Sequence, residues 1–509
     1  MKNQGSSVTA IKHGSTLFRD EPFFFAPDYS IQTMNTYENC DGLDLASAVR
    51  RGETSPTELL QEAIARIRTR NPVFNCVAYY DEDIGKKGIE QASRSGPFYG
   101  VPFLLKDIGA TAVGMPLSNG SRFFKGIVSS EDSELVTRYR RAGLAIFGTT
   151  TTPEFAVNCT TEALAYGGPT RNPWDISRSS GGSSGGAAAS VAAGIVPVAH
   201  GGDGGGSLRI PASACGLFGF KPSRMRTPTG PNGGEGWGGL AGDHVVSRSV
   251  RDSAAALDFS QGADDGTPYT APLFGGSYLK AVGEAPRRLR IGLVTRSPSG
   301  ETTHPDCVAA AEDVAALCVS LGHIVEPIDF PAAIEYERFG HAMRLIVASG
   351  TASAVQAREQ ALGRKATEED LELSIFTAVD FARRHSAVEY FEAISLMHTT
   401  GRHLGRLMRQ YDVLLTPTLA SPPVELGVYA ADKDYVAHRS ATLKYTAFLP
   451  YFNASGQPAM SIPLHWNSVG LPIGVQFAAA QGEEALLFSL AGQLEAARPW
   501  FHRRPANLP

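Results

Sequence analysis

Apolar and polar positions along the chain fall into helical stretches with a 3.6-residue period and short, wholly apolar runs of strand length. Leu59, Leu60, Ala63, Ile64 and Ile67 form one apolar helical face. Ahead of it stand Ser55 as N-cap, Pro56 at the first helical position and Glu58 three residues after the cap. That spacing is a capping box, and Asn71-Pro72 is expected to end the helix. Residues 73–80 read as a short strand, and residues 99–107 as a compact buried strand that closes on Lys106. Residues 133–142 read as a helix capped by Gly143, and residues 144–147 as a further buried strand, after which 149–152 enters a loop. Further strands are expected at 288–294, 413–417, 461–464 and 471–477. Helices dominate from 305 to about 411, and 484–496 forms a terminal amphipathic helix. Strands alternating with helices predict a layered α/β fold.

Residues 179–226 follow neither period. They hold two glycine-rich loops, Gly181-Gly182-Ser183-Ser184-Gly185-Gly186 and Gly201-Gly202-Asp203-Gly204-Gly205-Gly206-Ser207, separated by a small-residue run and the apolar segment 195–199. Consecutive glycines reach φ > 0 and present main-chain N–H groups without side-chain cover, which is how an oxyanion is held. A flexible Gly/Ser linker has no reason to be interrupted by an apolar segment and then by Asp203, Arg209 and Pro211, so both loops are read as structured.

With 509 residues, 43% of them hydrophobic and 19% charged, the chain can bury a large core and lies far from the disordered class. A net charge of -5 gives no electrostatic case for nucleic acid or an anionic membrane, so a small-molecule partner is expected. The six cysteines are scattered without a CxxC pair, and the histidines do not cluster, so neither a metal site nor a disulfide framework is expected. The first residues lack a continuous apolar core, and the longest apolar run, near Ala187, is too short to cross a bilayer. A soluble cytoplasmic protein is the expectation. Residues 1–40 read as an N-terminal extension to a single domain at 41–509. Phe23, Phe24 and Phe25 point to packing on the main body or on a partner subunit, consistent with a homodimer.

Several motifs compete for the chemistry. Residues 181–186 fit GxSxG, but that elbow needs a strand directly before it, and 170–175 is turn-like. Gly234, Gly236 and Gly239 fit GxGxxG with no strand leading in, and Ser277 to Lys280 fits SxxK without a KTG segment. His200 alone among the histidines lies near the serine loops, where a packed core residue is the ordinary reading. With no Ser-His-Asp set in view, a neutral lysine can activate a serine, because burial disfavours the charged amine. Lys106 ends an apolar strand and is the candidate base, although a lysine in that position commonly extends to water.

Residues 181–221 resemble the signature of the amidase signature family, serine hydrolases with GGSSGG followed by a GxDxGGSxRxPA segment. The similarity extends over 100–107, 148–173, 451–463 and 470–476. The resemblance implies an α/β amidase signature fold, a central twisted mixed β-sheet flanked by helices on both faces. It assigns Ser207 as nucleophile, Ser183 as a bridging serine in a cis peptide and Lys106 as general base. The oxyanion hole would come from N–H groups of Gly204, Gly205, Gly206 and Ser207. Ser184 would support the bridge, Asp203 and Arg209 would brace the loop, and Val157 and Asn158 would line the acyl side. No metal or cofactor is implied. The implied activity is hydrolysis of carbon–nitrogen bonds in neutral amides, anilides, cyclic amides or carbamates, with esterase action on the side.

Residues 160–162, 170–174 and 199–200 look most like the branch holding 6-aminohexanoate cyclic-dimer hydrolases, aryl acylamidases and urethane-cleaving amidases. The chain departs from the family's usual GTD by having Gly202 before Asp203, and from KTN by having Thr149-Thr150-Thr151. Residues 270–430 are the variable part, expected to shape the leaving-group pocket. The alternatives are a glutaminase-type subunit that passes ammonia to a partner, an α/β-hydrolase esterase, and a binding module that has lost catalysis.

Overall fold

Thirteen strands form within residues 37–506 and 508–509, the part of the chain that this computed structural model describes. They are β1 (Val77–Tyr80), β2 (Val101–Lys106), β3 (Leu144–Thr150), β4 (Arg171–Asn172), β5 (Asp175–Ser179), β6 (Val198–Asp203), β7 (Phe218–Lys221), β8 (Gly242–Ser247), β9 (Arg290–Leu293), β10 (Ile324–Pro327), β11 (Val413–Pro417), β12 (Ala459–Trp466) and β13 (Pro472–Ala479). Eleven make one sheet in the order β1-β3-β2-β6-β8-β7-β12-β13-β11-β9-β10, while β4 and β5 pair apart from it. The neighbours β3, β2 and β6 are parallel, as are β11, β9 and β10; the remaining pairings are antiparallel, so the sheet is mixed.

Alternation along β2 assigns the two faces. Val101, Phe103 and Leu105 pack with Leu144, Ile146, Val198, Val245 and the apolar side of the helix Glu134–Arg141. Leu104 enters a separate core with Phe147, Ala199, Val246 and the small side chains of the helix Gly185–Ala192. Helices therefore cover both faces, as a parallel group of strands demands. At the far end of the sheet, the helices Val250–Ser260, Pro305–Ser320 and Glu484–Ala497 close a third core around Phe218, Val475 and Phe488. By the same alternation Lys106 falls on the side of Leu104, towards the helix that begins just after Ser184.

The capping box at Ser55 forms as expected: Ser55 Oγ accepts from Glu58 N at 3.2 Å, and Glu58 Oε2 accepts from Ser55 N at 2.7 Å. Asn71-Pro72 does not end that helix, which runs Pro56–Phe74. A proline so near the C-terminus removes only one hydrogen bond of the last turns. The helix stops at Asn75, which adopts the left-handed region at φ 48°, while Asn71 Oδ1 accepts from the N–H groups of Cys76 and Val77, each at 2.8 Å. β1 accordingly starts at Val77 rather than residue 73. The N-terminal extension, with Phe23 to Phe25, lies outside the described residues apart from its last few positions. Among the described residues, no helix is long and apolar enough to cross a membrane and no cluster of side chains suits a metal ion.

Candidate active site

The site forms where the parallel strands β2, β3 and β6 end, the usual place for a ligand in such a sheet. Lys106, the last residue of β2, is 2% exposed, and its Nζ donates to Ser183 Oγ at 2.6 Å. Burial pushes the Lys106 amine down to about 7, with the carboxylates of Asp243 and then Asp203 partly opposing it. The Lys106 main-chain N–H donates to His200 Nδ1 at 3.1 Å. His200 is fully buried and fixes the end of β2, the packed role expected of it.

Three hydrogen bonds of Ser184 hold the serine loops against each other. Ser184 Oγ donates to Gly202 O and accepts from Gly202 N, both at 3.2 Å, and Ser184 N donates to Ser207 O at 3.2 Å. The Gly182–Ser183 peptide is cis, and the loop lies so close to Thr160 that a Cβ on Gly182 would come within 2.7 Å of Thr160 O. Ser207 lines a cavity of about 360 Å³ together with Lys106 and Ser183. Lys106 and Ser183 are thus joined directly, whereas Ser207 is brought beside them through its backbone. Its hydroxyl makes no hydrogen bond to Ser183 among the described residues. Of the four N–H groups expected to hold an oxyanion, that of Gly206 donates to Asp203 Oδ1 at 2.7 Å. Those of Gly204, Gly205 and Ser207 have no protein acceptor among the described residues. Gly206 stands at φ 123°, where a side chain would also strike Leu449.

The sequence profile of the Amidase family matches residues 58–488. The chain belongs to the amidase signature family. As such it is an amidohydrolase, acting on carbon–nitrogen bonds. The 6-aminohexanoate-cyclic-dimer hydrolase of Paenarthrobacter ureafaciens is 38% identical over 483 residues, covering 92% of this chain and 97% of the relative. A solved structure of 6-aminohexanoate cyclic dimer hydrolase superposes with a TM-score of 0.88 at 38% identity, over 92% of this chain and 99% of the other. A bacterial aryl acylamidase of the same family superposes with a TM-score of 0.84 at 26% identity, again over 92% and 99%.

In this amidase the nucleophile-elbow reading loses its strand. β5 does precede residues 180–184, but it belongs to the separate two-stranded pair and not to the main sheet. Behind the second loop, Asp203 and Arg209 form a fully buried ion pair at 2.9 Å. Burial works to raise the Asp203 carboxyl, but the charge and hydrogen bonds of Arg209, with Lys221 and Asn453, outweigh it and hold the group well below the usual carboxylate range. Arg209 also donates to Gln476 Oε1 at 2.6 Å and Asn453 Oδ1 at 2.7 Å. Neither partner stands out in the sequence, although both lie within segments that carry the family resemblance.

Val157 and Asn158 lie outside the cavity wall. Val157 is buried, and the Asn158 amide is engaged with Tyr429 O at 2.7 Å and Cys159 N at 2.7 Å. The wall is formed instead by their neighbours Phe155 and Ala156, held at φ 50° and 59°. Across from them stands Trp237 of the glycine-rich loop 230–239, packed so closely on Gly204 that a Cβ there would meet its ring at 2.6 Å. That loop, with its GxGxxG spacing, serves as cavity wall. Among the described residues, those lining the cavity all fall from Lys106 to Asp243. The helices Tyr336–Leu362 and Ala387–Leu407 support Trp237 and Gly238 from behind, through Gly350 and Ile394.

Proposed function

We propose that this amidohydrolase cleaves neutral amides, cyclic amides, anilides and carbamates through an acyl-enzyme on Ser207, with Ser183 as proton relay and Lys106 as base. The observation that carries the reading is the 2.6 Å contact from Lys106 Nζ to Ser183 Oγ, made by a buried amine whose pKa of about 7 leaves it largely uncharged in mildly alkaline solution. The proton of Ser207 passes through Ser183 to Lys106 as the Ser207 oxygen attacks the carbonyl carbon. The N–H groups of Gly204, Gly205 and Ser207 receive the oxyanion; one such donor is worth about 10²–10³ in rate. The proton returns through Ser183 to the substrate nitrogen, the carbon–nitrogen bond breaks, and water then releases the acyl group. The similarity to 6-aminohexanoate-cyclic-dimer hydrolase favours cyclic amides among the substrates, and Phe155, Ala156 and Trp237 give a small molecule apolar surface within the cavity.

The test is a purified chain assayed on an aliphatic amide, an anilide, a cyclic oligoamide and a small carbamate, alongside labelling with a fluorophosphonate. Ser207→Ala is expected to abolish hydrolysis and labelling, and Ser183→Ala to leave a small remainder of both. Full turnover by Ser207→Ala would overturn the assignment. Hydrolysis of simple amides by the isolated chain would also count against a glutaminase subunit that depends on a partner.

A further inference from the structure

The proposed chemistry gives no step to either carboxylate of the cavity wall, Glu235 or Asp243. Asp243, the second residue of β8, stands opposite Gly202 in the β6–β8 register, lining the same cavity as Lys106, Ser183 and Ser207. Its side chain is 26% exposed and makes no hydrogen bond among the described residues. His200 Nε2 lies 3.4 Å from Oδ1 but in a geometry that leaves that nitrogen without a hydrogen-bond partner. A carboxylate accepts up to about four hydrogen bonds, and one half withdrawn from water with none of them made is poised for a donor that arrives with the substrate.

Gly202 makes room for it. A Cβ on Gly202 would come within 2.5 Å of Asp243 Oδ1 and would meet no other atom closer than 3.7 Å. The backbone of Gly202 is not in the left-handed region, so conformation does not demand glycine there. The departure from the family's threonine at this position thus has a spatial reason: it leaves the Asp243 carboxylate free to face the cavity. The charge of the wall agrees. Among the described residues, Asp243 and Glu235 are its acidic members and Lys106 its single basic one, while the buried hydroxyl of Thr229 adds a further polar atom without a partner there.

We infer that Asp243 determines specificity by accepting a hydrogen bond from a second nitrogen of the substrate, an ammonium or a further amide N–H, and by repelling substrates that carry a carboxylate. The inference rests on the proposed reading of Lys106, Ser183 and Ser207 as the reacting centre. It is tested with matched amides whose short aliphatic acyl or amine chain ends in a methyl, an ammonium or a carboxylate, comparing kcat/KM. The ammonium form is expected to exceed the carboxylate form by on the order of tenfold to a hundredfold. Asp243→Asn is expected to bring the two within about threefold of each other.

Gly202→Ala supplies a second variant, because its methyl group displaces the Asp243 carboxylate while changing no charge; it is expected to weaken the discrimination in the same direction. Equal kcat/KM for all three substrates with the wild type would overturn the inference alone. So would an Asp243→Asn variant that slows all three alike and moves the acid limb of the pH profile, since Asp243 would then act only through Lys106. If the wild type hydrolysed none of them and Ser207 resisted fluorophosphonate, the reading of the reacting centre would fall, and this inference with it.

Discussion

Lys106 gains an uncharged, proton-accepting form from where β2 ends, at the cost of basicity. An amine held at about 7 by burial is uncharged above that pH and protonated below it, so the base form is lost as pH falls. The kcat/KM profile is therefore expected to rise with pH through about 7 and then level. Lys221 is also pushed down to about 7 by burial, but it donates to Pro222 O at 2.8 Å and does not line the cavity, so the limb belongs to Lys106. Lys106→Ala is expected to slow amide hydrolysis far more than hydrolysis of the matched ester. An amine leaves only when protonated, and the returning proton comes from Lys106 through Ser183. Matched amide and ester substrates measure this directly, and equal small losses on both would remove Lys106 from the base role.

At the scale of single elements, the short turn Glu154–Ala156 decides the shape of one cavity wall. Glu154 Oε1 accepts from Ser121 Oγ at 2.5 Å and Oε2 from Glu372 N at 2.8 Å, which ties the turn to the helix Leu373–Arg383. Burial, with the neighbouring charge of Glu372, pushes the Glu154 carboxyl up to about 8. The stability that its neutral form contributes is fully present below the ordinary carboxyl value near 4.5 and is lost as pH rises through about 8. Glu154→Gln keeps a neutral group of the same shape. Its melting temperature is expected to gain steadily on the wild type between pH 5 and about 8, by differential scanning calorimetry; parallel curves would refute the shift. This wall also shows where sequence reading stops. The capping box at Ser55 and the buried strand ending on Lys106 were legible because each depends on residues within one or two turns. Phe155 and Ala156 were not, since non-glycine residues at positive φ carry no signature, and the expected lining at Val157 and Asn158 lies just past them. Asp243 reaches the site only through the pairing of β8 with β6, a long-range contact that no spacing announces.

Over the whole molecule, Arg209 is the point where separate parts of the chain meet behind the serine loops. It joins Asp203 at the end of β6, Asn453 in the helix Pro450–Ala454 and Gln476 in β13, all buried. Asp203 in turn accepts from the N–H groups of Gly206 and Leu208, so the same carboxylate that neutralises Arg209 also sets the loop carrying Ser207. Asp203→Asn would leave the guanidinium buried without a counter-charge, a change that costs about 3–5 kcal/mol. Against a typical folding stability of about 5–15 kcal/mol that loss is large, and it should appear as a lower urea midpoint. Removing both charges in Asp203→Asn with Arg209→Met is expected to cost less than the single Asp203 change plus a separate Arg209→Met, because no charge is left stranded. Labelling of Ser207 by a fluorophosphonate should fall in both variants: Gly206 N donates to Asp203 Oδ1 and Leu208 N to Oδ2, and Asn replaces one of those two oxygens with an amide nitrogen that cannot accept. An Asp203→Asn protein with an unchanged midpoint and wild-type labelling would mean that the ion pair neither joins these parts nor shapes the loop.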